Sequence, residues 1–390
     1  MPHPEGGREI PGPPFFVMLH EHRDLFRRCV ERCLPFWYAH GVDHELGGFC
    51  EDVRDDGSRG SDNKGGWYQG LGIWVFAHFA NRMGGEERYL EAARRAWQFT
   101  LRHGRDARGH WVMNMARTGA TIEGATSVLT DVYLAHGLVE LFHADSTDEY
   151  FDLARAALLQ VRERIERPAP SASVPSYTEP HSVNGMWGAF LHAVSDYLRI
   201  RPDDAELAAL SDLCLQAVLT KHLDPGTGLI VEAVAPDGTP YTGRQRNLIK
   251  PGAGAETCTA IMIEADRRGD RDLRRTAAEM LRTHFDAGWD ATYGGIYYET
   301  DLDGRPVEDR KDAWAQAEFM RGLATAGATE ADAWIGDAYA RIHEWAFATY
   351  AAEPDDTWRI SATREGRLTD NRRLDLFHHP RMLLSLLHHA

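Results

Sequence analysis

The sequence has little of what would place it in a membrane, on a nucleic acid or inside a disulfide framework. None of its apolar runs approaches the ~20 residues that span a bilayer. Its 43 basic residues are outnumbered by 59 acidic ones, a formal charge of -16. That excess excludes the basic footprint that nucleic acid and anionic membrane surfaces require. Cysteine is scarce, with five residues at 29, 33, 50, 214 and 258. An odd, unpaired set argues against a disulfide scaffold and for a reduced, cytoplasmic setting. Cys29 and Cys33 lie one helical turn apart, but nothing completes a zinc site, so both read as small core residues and no metal is expected. The first fifteen residues are rich in Pro and Gly and lack an apolar h-region, which predicts a disordered lead-in rather than a signal peptide.

What the chain does have is a recurring pattern. Its most telling stretch is Lys64-Gly-Gly-Trp67-Tyr68-Gln69-Gly70-Leu71-Gly-Ile-Trp74, which follows Gly47-Gly48-Phe49 and opens an apolar helix. Aromatic faces beside amide hydrogen-bonding groups suit a sugar ring, whose C–H face stacks and whose hydroxyls need donors and acceptors. An aromatic-rich core helix is the plainer reading of that stretch taken alone.

The pattern restarts along the chain. Gly/aromatic strand signals recur near residues 48, 110, 177, 229, 295 and 358, a period of roughly sixty. Each is followed by two helical segments. The predicted pairs are 67–83 with 87–103, 127–144 with 148–167, 181–200 with 206–222, 254–268 with 272–288, and 313–326 with 332–350. The terminal helix 374–388 and the first helix 19–40 complete the set. In each pair one helix is apolar all round and must be buried, while the other is amphipathic and covers it. Six inner helices ringed by six outer helices make an all-α, (α/α)6 barrel with short hairpins at the rim. No linker breaks the period, so residues 16–390 read as one domain.

Loops entering the inner helices would share one rim, so polar residues there would converge on one pocket. Those residues are Lys64, Trp67 and Gln69; Asp131; His181 and Asn184; Pro251, Gly252 and Glu256; Lys311, Trp314, Gln316 and Glu318; and His378, His379 and Arg381. Trp67 or Trp314 would be the stacking platform. Lys64, Trp67, Gln69, Asp131, Asn184, Trp314, Gln316, Glu318 and Arg381 form the expected substrate-binding set. His379 cannot share the helix face of His378 and is expected to point outward.

Taken together, these segments resemble the N-acylglucosamine 2-epimerase family, which includes cellobiose and mannose 2-epimerases and related aldose–ketose isomerases. The resemblance runs from Gly47 to Leu387. It is carried by Gly47-Gly48-Phe49, Lys64-x-x-Trp67-x-Gln69-Gly70, Pro251-Gly252 followed by Glu256, Lys311-x-x-Trp314-x-Gln316-Ala317-Glu318, and Phe377-His378-His379-Pro380-Arg381. It implies cofactor-free acid–base chemistry at a sugar C2, with two histidines as base and acid, an assisting glutamate and a substrate-holding arginine. His378 and Glu256 match that pattern. Ala253 stands where the first histidine is expected and Leu71 where the arginine is expected.

The leading expectation is therefore a sugar 2-epimerase or aldose–ketose isomerase with His378, Glu256 and His181 as its catalytic groups. A glycoside hydrolase or lyase using a carboxylate pair, Glu256 with Asp131 or Glu318, is the alternative on the same barrel. A catalytically silent sugar-binding protein is the third reading. The partner in each case is a carbohydrate. A homodimer is the base-rate expectation for oligomeric state.

Overall fold

The computed structural model describes residues 15–165, 182–241, 247–329, 332–352 and 354–390. The expected lead-in, apart from Phe15, lies outside the described residues. So do the strand signal near 177 and His181.

Twelve α-helices are found among the described residues. They are α1 (Phe15–His40), α2 (Gly66–Met83), α3 (Glu87–His103), α4 (Leu129–Asp145), α5 (Asp148–Ile165), α6 (Asn184–Ile200), α7 (Ala205–Gln216), α8 (Pro251–Arg268), α9 (Arg271–Gly288), α10 (Ala313–Gly327), α11 (Ala333–Tyr350) and α12 (His378–His389). A π-helical turn, Ala217–His222, extends α7. The even-numbered helices contact one another in the cycle α2, α4, α6, α8, α10, α12 and back to α2, which closes an inner ring. The odd-numbered helices lie outside: α3 on α2, α5 on α4, α7 on α6, α9 on α8 and α11 on α10. The two ends of the chain complete the last pair, with α1 covering α12. This is the predicted (α/α)6 barrel. No helix among the described residues is long and apolar enough to cross a membrane.

The burial pattern explains the two layers. In α10 every residue except Trp314 is buried, whereas α3 and α9 bury one face and carry charge on the other. Close approach of inner helices depends on glycine at α2 and α4. A Cβ on Gly70 would stand 2.3 Å from the Tyr133 carbonyl carbon, and one on Gly137 would stand 2.7 Å from the Gly70 oxygen. Asp204 and Asp270 cap α7 and α9, accepting from Leu207 N at 3.1 Å and Leu273 N at 3.0 Å. All five cysteines are buried and free.

The rim is built from short antiparallel pairs, such as Asp52–Val53 with Arg59–Ser61 and Glu299–Thr300 with Pro306–Glu308. The strand expected at 109–113 is reduced to a single bridge between Arg105 and Trp111, because the chain turns at Asp106 instead of extending. After α1 and α9 the same loop recurs. Asp43 accepts from the backbone N–H groups of Glu45 and Leu46, and Asp290 from those of Thr292 and Tyr293. Gly47 and Gly294 then turn with φ of +83° and +73°.

Candidate active site

The first two turns of the inner helices form the rim of the barrel, and there α8, α10 and α12 bring polar groups together. His378 opens α12. Its Nδ1 lies 2.7 Å from Asp375 Oδ2, and Asp375 Oδ1 also accepts from the backbone N–H groups of Phe377 and His378. Asp375 thus fixes the imidazole orientation through Nδ1 and leaves Nε2 as the nitrogen it does not engage. Burial works to lower the pKa of His378, but the Asp375 charge and hydrogen bond outweigh it and the net shift is upward. The ring of Trp314 lies 5.8 Å from that of His378.

One turn into the same helices lies an ionic network. Arg381 Nη2 donates to Glu256 Oε1 at 2.9 Å and to Glu318 Oε1 at 2.5 Å. Arg321 Nε donates to Glu318 Oε2 at 2.9 Å. Burial alone would raise Glu318, yet the two arginines hold its carboxyl down at about 2. Arg381 stacks over Phe377, 3.9 Å from the ring centre, and keeps its Nε and Nη1 donors without a protein partner. Two buried cations and two carboxylates offset each other, which makes burial of the set tolerable. Of the residues expected from sequence, this region unites His378, Glu256, Trp314, Glu318 and Arg381.

Other expected residues are employed elsewhere. Lys64 is fully buried; its Nζ lies 3.0 Å from Asp43 and donates to the carbonyls of Gly47 and Arg117. Lys311 repeats this arrangement with Asp290, Gly294 and Arg364. Gln69 spends its amide on both backbone groups of Phe49, at 2.7 and 2.9 Å, and on Gly65 O. Gln316 does the same with Ile296 and Asp312. These side chains brace the rim loops, and their hydrogen-bonding capacity is already taken. The expectation that Lys64, Gln69 and Gln316 line the pocket thus falls on side chains whose hydrogen bonds go to the rim loops.

Asp131 is buried against Arg164 Nη1 at 2.6 Å, tying the start of α4 to α5. Burial, opposed by Arg164, raises its pKa to about 6. Asn184 packs beside Glu232, whose main-chain oxygen accepts from the Asn184 backbone N–H at 2.8 Å. Trp67 is half-buried at the rim, 6.5 Å from the Tyr133 ring, which in turn lies 6.0 Å from Phe377. His379 is not directed outward. It is fully buried and stacks on Trp358 at 4.7 Å, and burial drives its pKa to about 3.

Sequence reading missed three members of this region. Asp375 lies three residues before His378, the spacing that lets a side chain cap a helix start, and Arg321 lies one turn after Glu318; both signals are local. Glu51 had no signal. It sits against Gly65, where a Cβ would stand 3.3 Å from its carboxylate and 3.0 Å from the Trp67 indole nitrogen. Burial, helped by the Asp375 and Asp52 charges, raises its pKa to about 7.

Comparison with known proteins matches this geometry to a family. The model of the N-acylglucosamine 2-epimerase family matches residues 176–380, just over half of the chain. The N-acylglucosamine 2-epimerase of Bos taurus is 23% identical over 366 residues, covering 90% of this chain and 86% of its own length. Among solved structures, cellobiose 2-epimerase from Bacillus thermoamylovorans superposes with a TM-score of 0.84 at 18% identity, covering 95% of this chain and all of that one. A D-mannose isomerase gives 0.81 at 15% identity, covering 97% and 99%. A family 76 glycoside hydrolase from a bovine Bacteroides thetaiotaomicron strain gives 0.66 at 10% identity, covering 93% and 76%. At such identities the structures speak for the fold alone. Fold and family match together define a sugar 2-epimerase and isomerase class of (α/α)6 barrel. Within it, the chain belongs to the N-acylglucosamine 2-epimerase family.

Proposed function

We propose that this protein interconverts an aldose and a ketose, using His378 as a single base. The observation that carries the reading is one-sided. His378, oriented by Asp375, stands on α12 beside Trp314, while α8 offers Ala253 in its first turn. Epimerisation at C2 removes a proton from one face and returns one to the other, which calls for groups on both faces. Isomerisation moves a proton from C2 to C1 on one face, and one base suffices.

In this scheme His378 takes the C2 hydrogen of the open-chain aldose. The electron pair forms the C1=C2 bond of an enediolate, whose developing negative charge on O1 is offset by the field of the buried Arg381 guanidinium. The imidazolium returns the proton to C1. The hydroxyl proton passes from O2 to O1, assigned to Glu256, whose Oε2 lies outside the Arg381 bond. Trp314 and Trp67 supply the apolar faces for the sugar.

The carboxylate-pair reading is weaker on physical grounds. A glycosidase needs one protonated carboxyl as general acid within reach of substrate, yet Glu318 is held ionised by two arginines, and Asp131, though raised by burial, is 0% exposed and bonded to Arg164.

Proton NMR in deuterated water with a panel of free and N-acetylated hexoses and disaccharides tests the proposal. The expected result is loss of the C2 proton signal with appearance of a ketose, abolished in His378→Ala. A 2-epimer formed without ketose, cleavage of a disaccharide, or binding without exchange would each overturn it.

A further inference from the structure

Below the rim, between α4 and α6, lies a second polar cluster that the proton-transfer scheme does not use. His136 comes from α4, and His192 and Asp196 come from successive turns of α6. On a helix rising about 1.5 Å per residue, His192 and Asp196 lie about 12 and 18 Å from Asn184 at the rim. The cluster is therefore one to two turns deeper than the Arg381 network.

The geometry is that of ligands facing a common point. One ligand atom from each of the three side chains lies within 4.8 Å of the others. His136 Nε2 is 2.7 Å from Asp196 Oδ2, and His192 Nε2 is 3.9 Å from the same oxygen. The two imidazole rings are 4.7 Å apart and nearly perpendicular. His136 is 2% exposed, and its Nε2 meets Asp196 Oδ2 at 2.7 Å without the alignment of a regular hydrogen bond. Two donors of one tetrahedral ion stand ~3.3–3.6 Å apart, so the 2.7 Å pair would open and the 3.9 Å pair would close by less than 1 Å to admit one. Asp196 Oδ1 is turned to Arg199 at 3.5 Å, so Oδ2 alone faces the histidines.

We infer that His136, His192 and Asp196 form a binding site for a divalent first-row transition ion that ties α4 to α6. Two imidazoles and one carboxylate are a donor set for zinc, cobalt or iron(II), with metal–ligand distances of ~2.0–2.2 Å. At those lengths two ligands of one ion stand at most ~4.2 Å apart, so this set closes by sub-ångström side-chain shifts. Electrostatics permits it. The charges that reach His192 from Arg321 and Arg381 are offset by Glu318 and Glu256. Asp196 stays ionised, since burial, which would raise it, is outweighed by the histidines. Its side chain retains 17% exposure, which leaves a path for an ion from the end of the barrel opposite the rim. The site stands independently of the isomerase reading.

The full chain, stripped with chelator and dialysed, is titrated with cobalt(II). The expected result is one ion per chain, visible d–d absorption, and a raised melting temperature. Asp196→Asn and His192→Gln should each weaken uptake by about tenfold or more. His388→Ala/His389→Ala, which removes the exposed His388 and the partly buried His389 at the end of α12, should leave it unchanged. No stoichiometric uptake overturns the inference, as does uptake lost only in the His388/His389 variant. If the buried-site variants do not fold, X-ray absorption of the zinc-loaded wild type decides. Two imidazoles with one carboxylate uphold the site, and any other ligand set overturns it.

Discussion

The replacement Lys64→Met separates a framework lysine from a substrate-binding one. Lys64 is 0% exposed and its partner Asp43 1%. Methionine fills similar volume but takes away one ion pair and two hydrogen bonds, to Gly47 O at 2.6 Å and Arg117 O at 3.0 Å. Breaking a buried ion pair costs ~3–5 kcal/mol when the remaining charge is stranded. Asp43 is not stranded, because Arg117 still holds it at 2.9 and 3.0 Å and two backbone N–H groups still donate to it. The charge term therefore shrinks, and the buried Gly47 carbonyl and the partly buried Arg117 carbonyl, left without a donor, contribute most of the loss, at up to ~1–3 kcal/mol each. About 3 kcal/mol is the expected total. With an unfolding entropy of ~2.1 cal/mol/K per residue, the whole chain melts with roughly 0.8 kcal/mol/K, so the midpoint falls by about 4 °C. Lys311→Met should do the same, since Lys311 meets Asp290, Gly294 and Arg364 as Lys64 meets Asp43, Gly47 and Arg117. Calorimetry of both variants, alongside KM for the sugar, is the assay. A Lys64→Met protein that melts within ~1 °C of wild type but binds sugar poorly refutes the framework argument.

Asp375→Asn removes the charge that raises His378. The base must be neutral to accept a proton, so activity is lost as pH falls through its raised pKa; the variant should move that acid limb of kcat/KM to lower pH and reduce the maximum by ~10²-fold. Ala253→His places a proton carrier on α8, so NMR of the product mixture should show the 2-epimer beside the ketose. Glu264, held by Ser195, Ser211, Arg267 and Arg268, has its carboxyl brought down to about 2 against the opposing effect of burial. A depressed carboxylate contributes stability that is full above its unfolded value near 4.5 and is lost as pH falls towards 2. The melting temperature of Glu264→Gln should accordingly vary less across that window than that of wild type.

The barrel was legible because its cause is periodic. A helix apolar all round has to be inside, and an alternation of such helices with amphipathic ones leaves few arrangements other than two concentric rings. Boundaries were also close where punctuation is chemical: Gly84 and Gly269 end α2 and α8 in the left-handed conformation. The start of α12 was placed four residues early, since Leu374 to Phe377 continue the apolar pattern while Asp375 turns the backbone there by accepting two N–H groups. The pocket was harder. Lys64 and Gln69 are polar residues on an apolar helix, which looks like function until their partners are seen. Those partners, Asp43 and Phe49, lie about twenty residues upstream, and the same pairs recur from Asp290 to Lys311 and from Ile296 to Gln316. A polar residue that recurs with its companion in two repeats is answering a need that both repeats share, namely closing a rim loop on a helix. That recurrence was present in the sequence and pointed to framework.

The converse identifies where chemistry resides. Substrate has no sixfold symmetry, so the groups that handle it must be those that the repeats do not share. His378 with Asp375 occurs on α12 alone, Arg381 reaches across to α8 and α10, and α8 contributes Glu256 one turn below Ala253. The shared braces hold the inner helices at a fixed spacing, and the unshared groups make the rim asymmetric. At the start of α12 stands an imidazole oriented by Asp375, and one turn deeper Arg381 of the same helix secures the carboxylates of Glu256 and Glu318. Under the proposed isomerase scheme these unshared groups would move a proton along one face of the sugar, and the methyl group of Ala253 in the first turn of α8 would supply no proton carrier for a second.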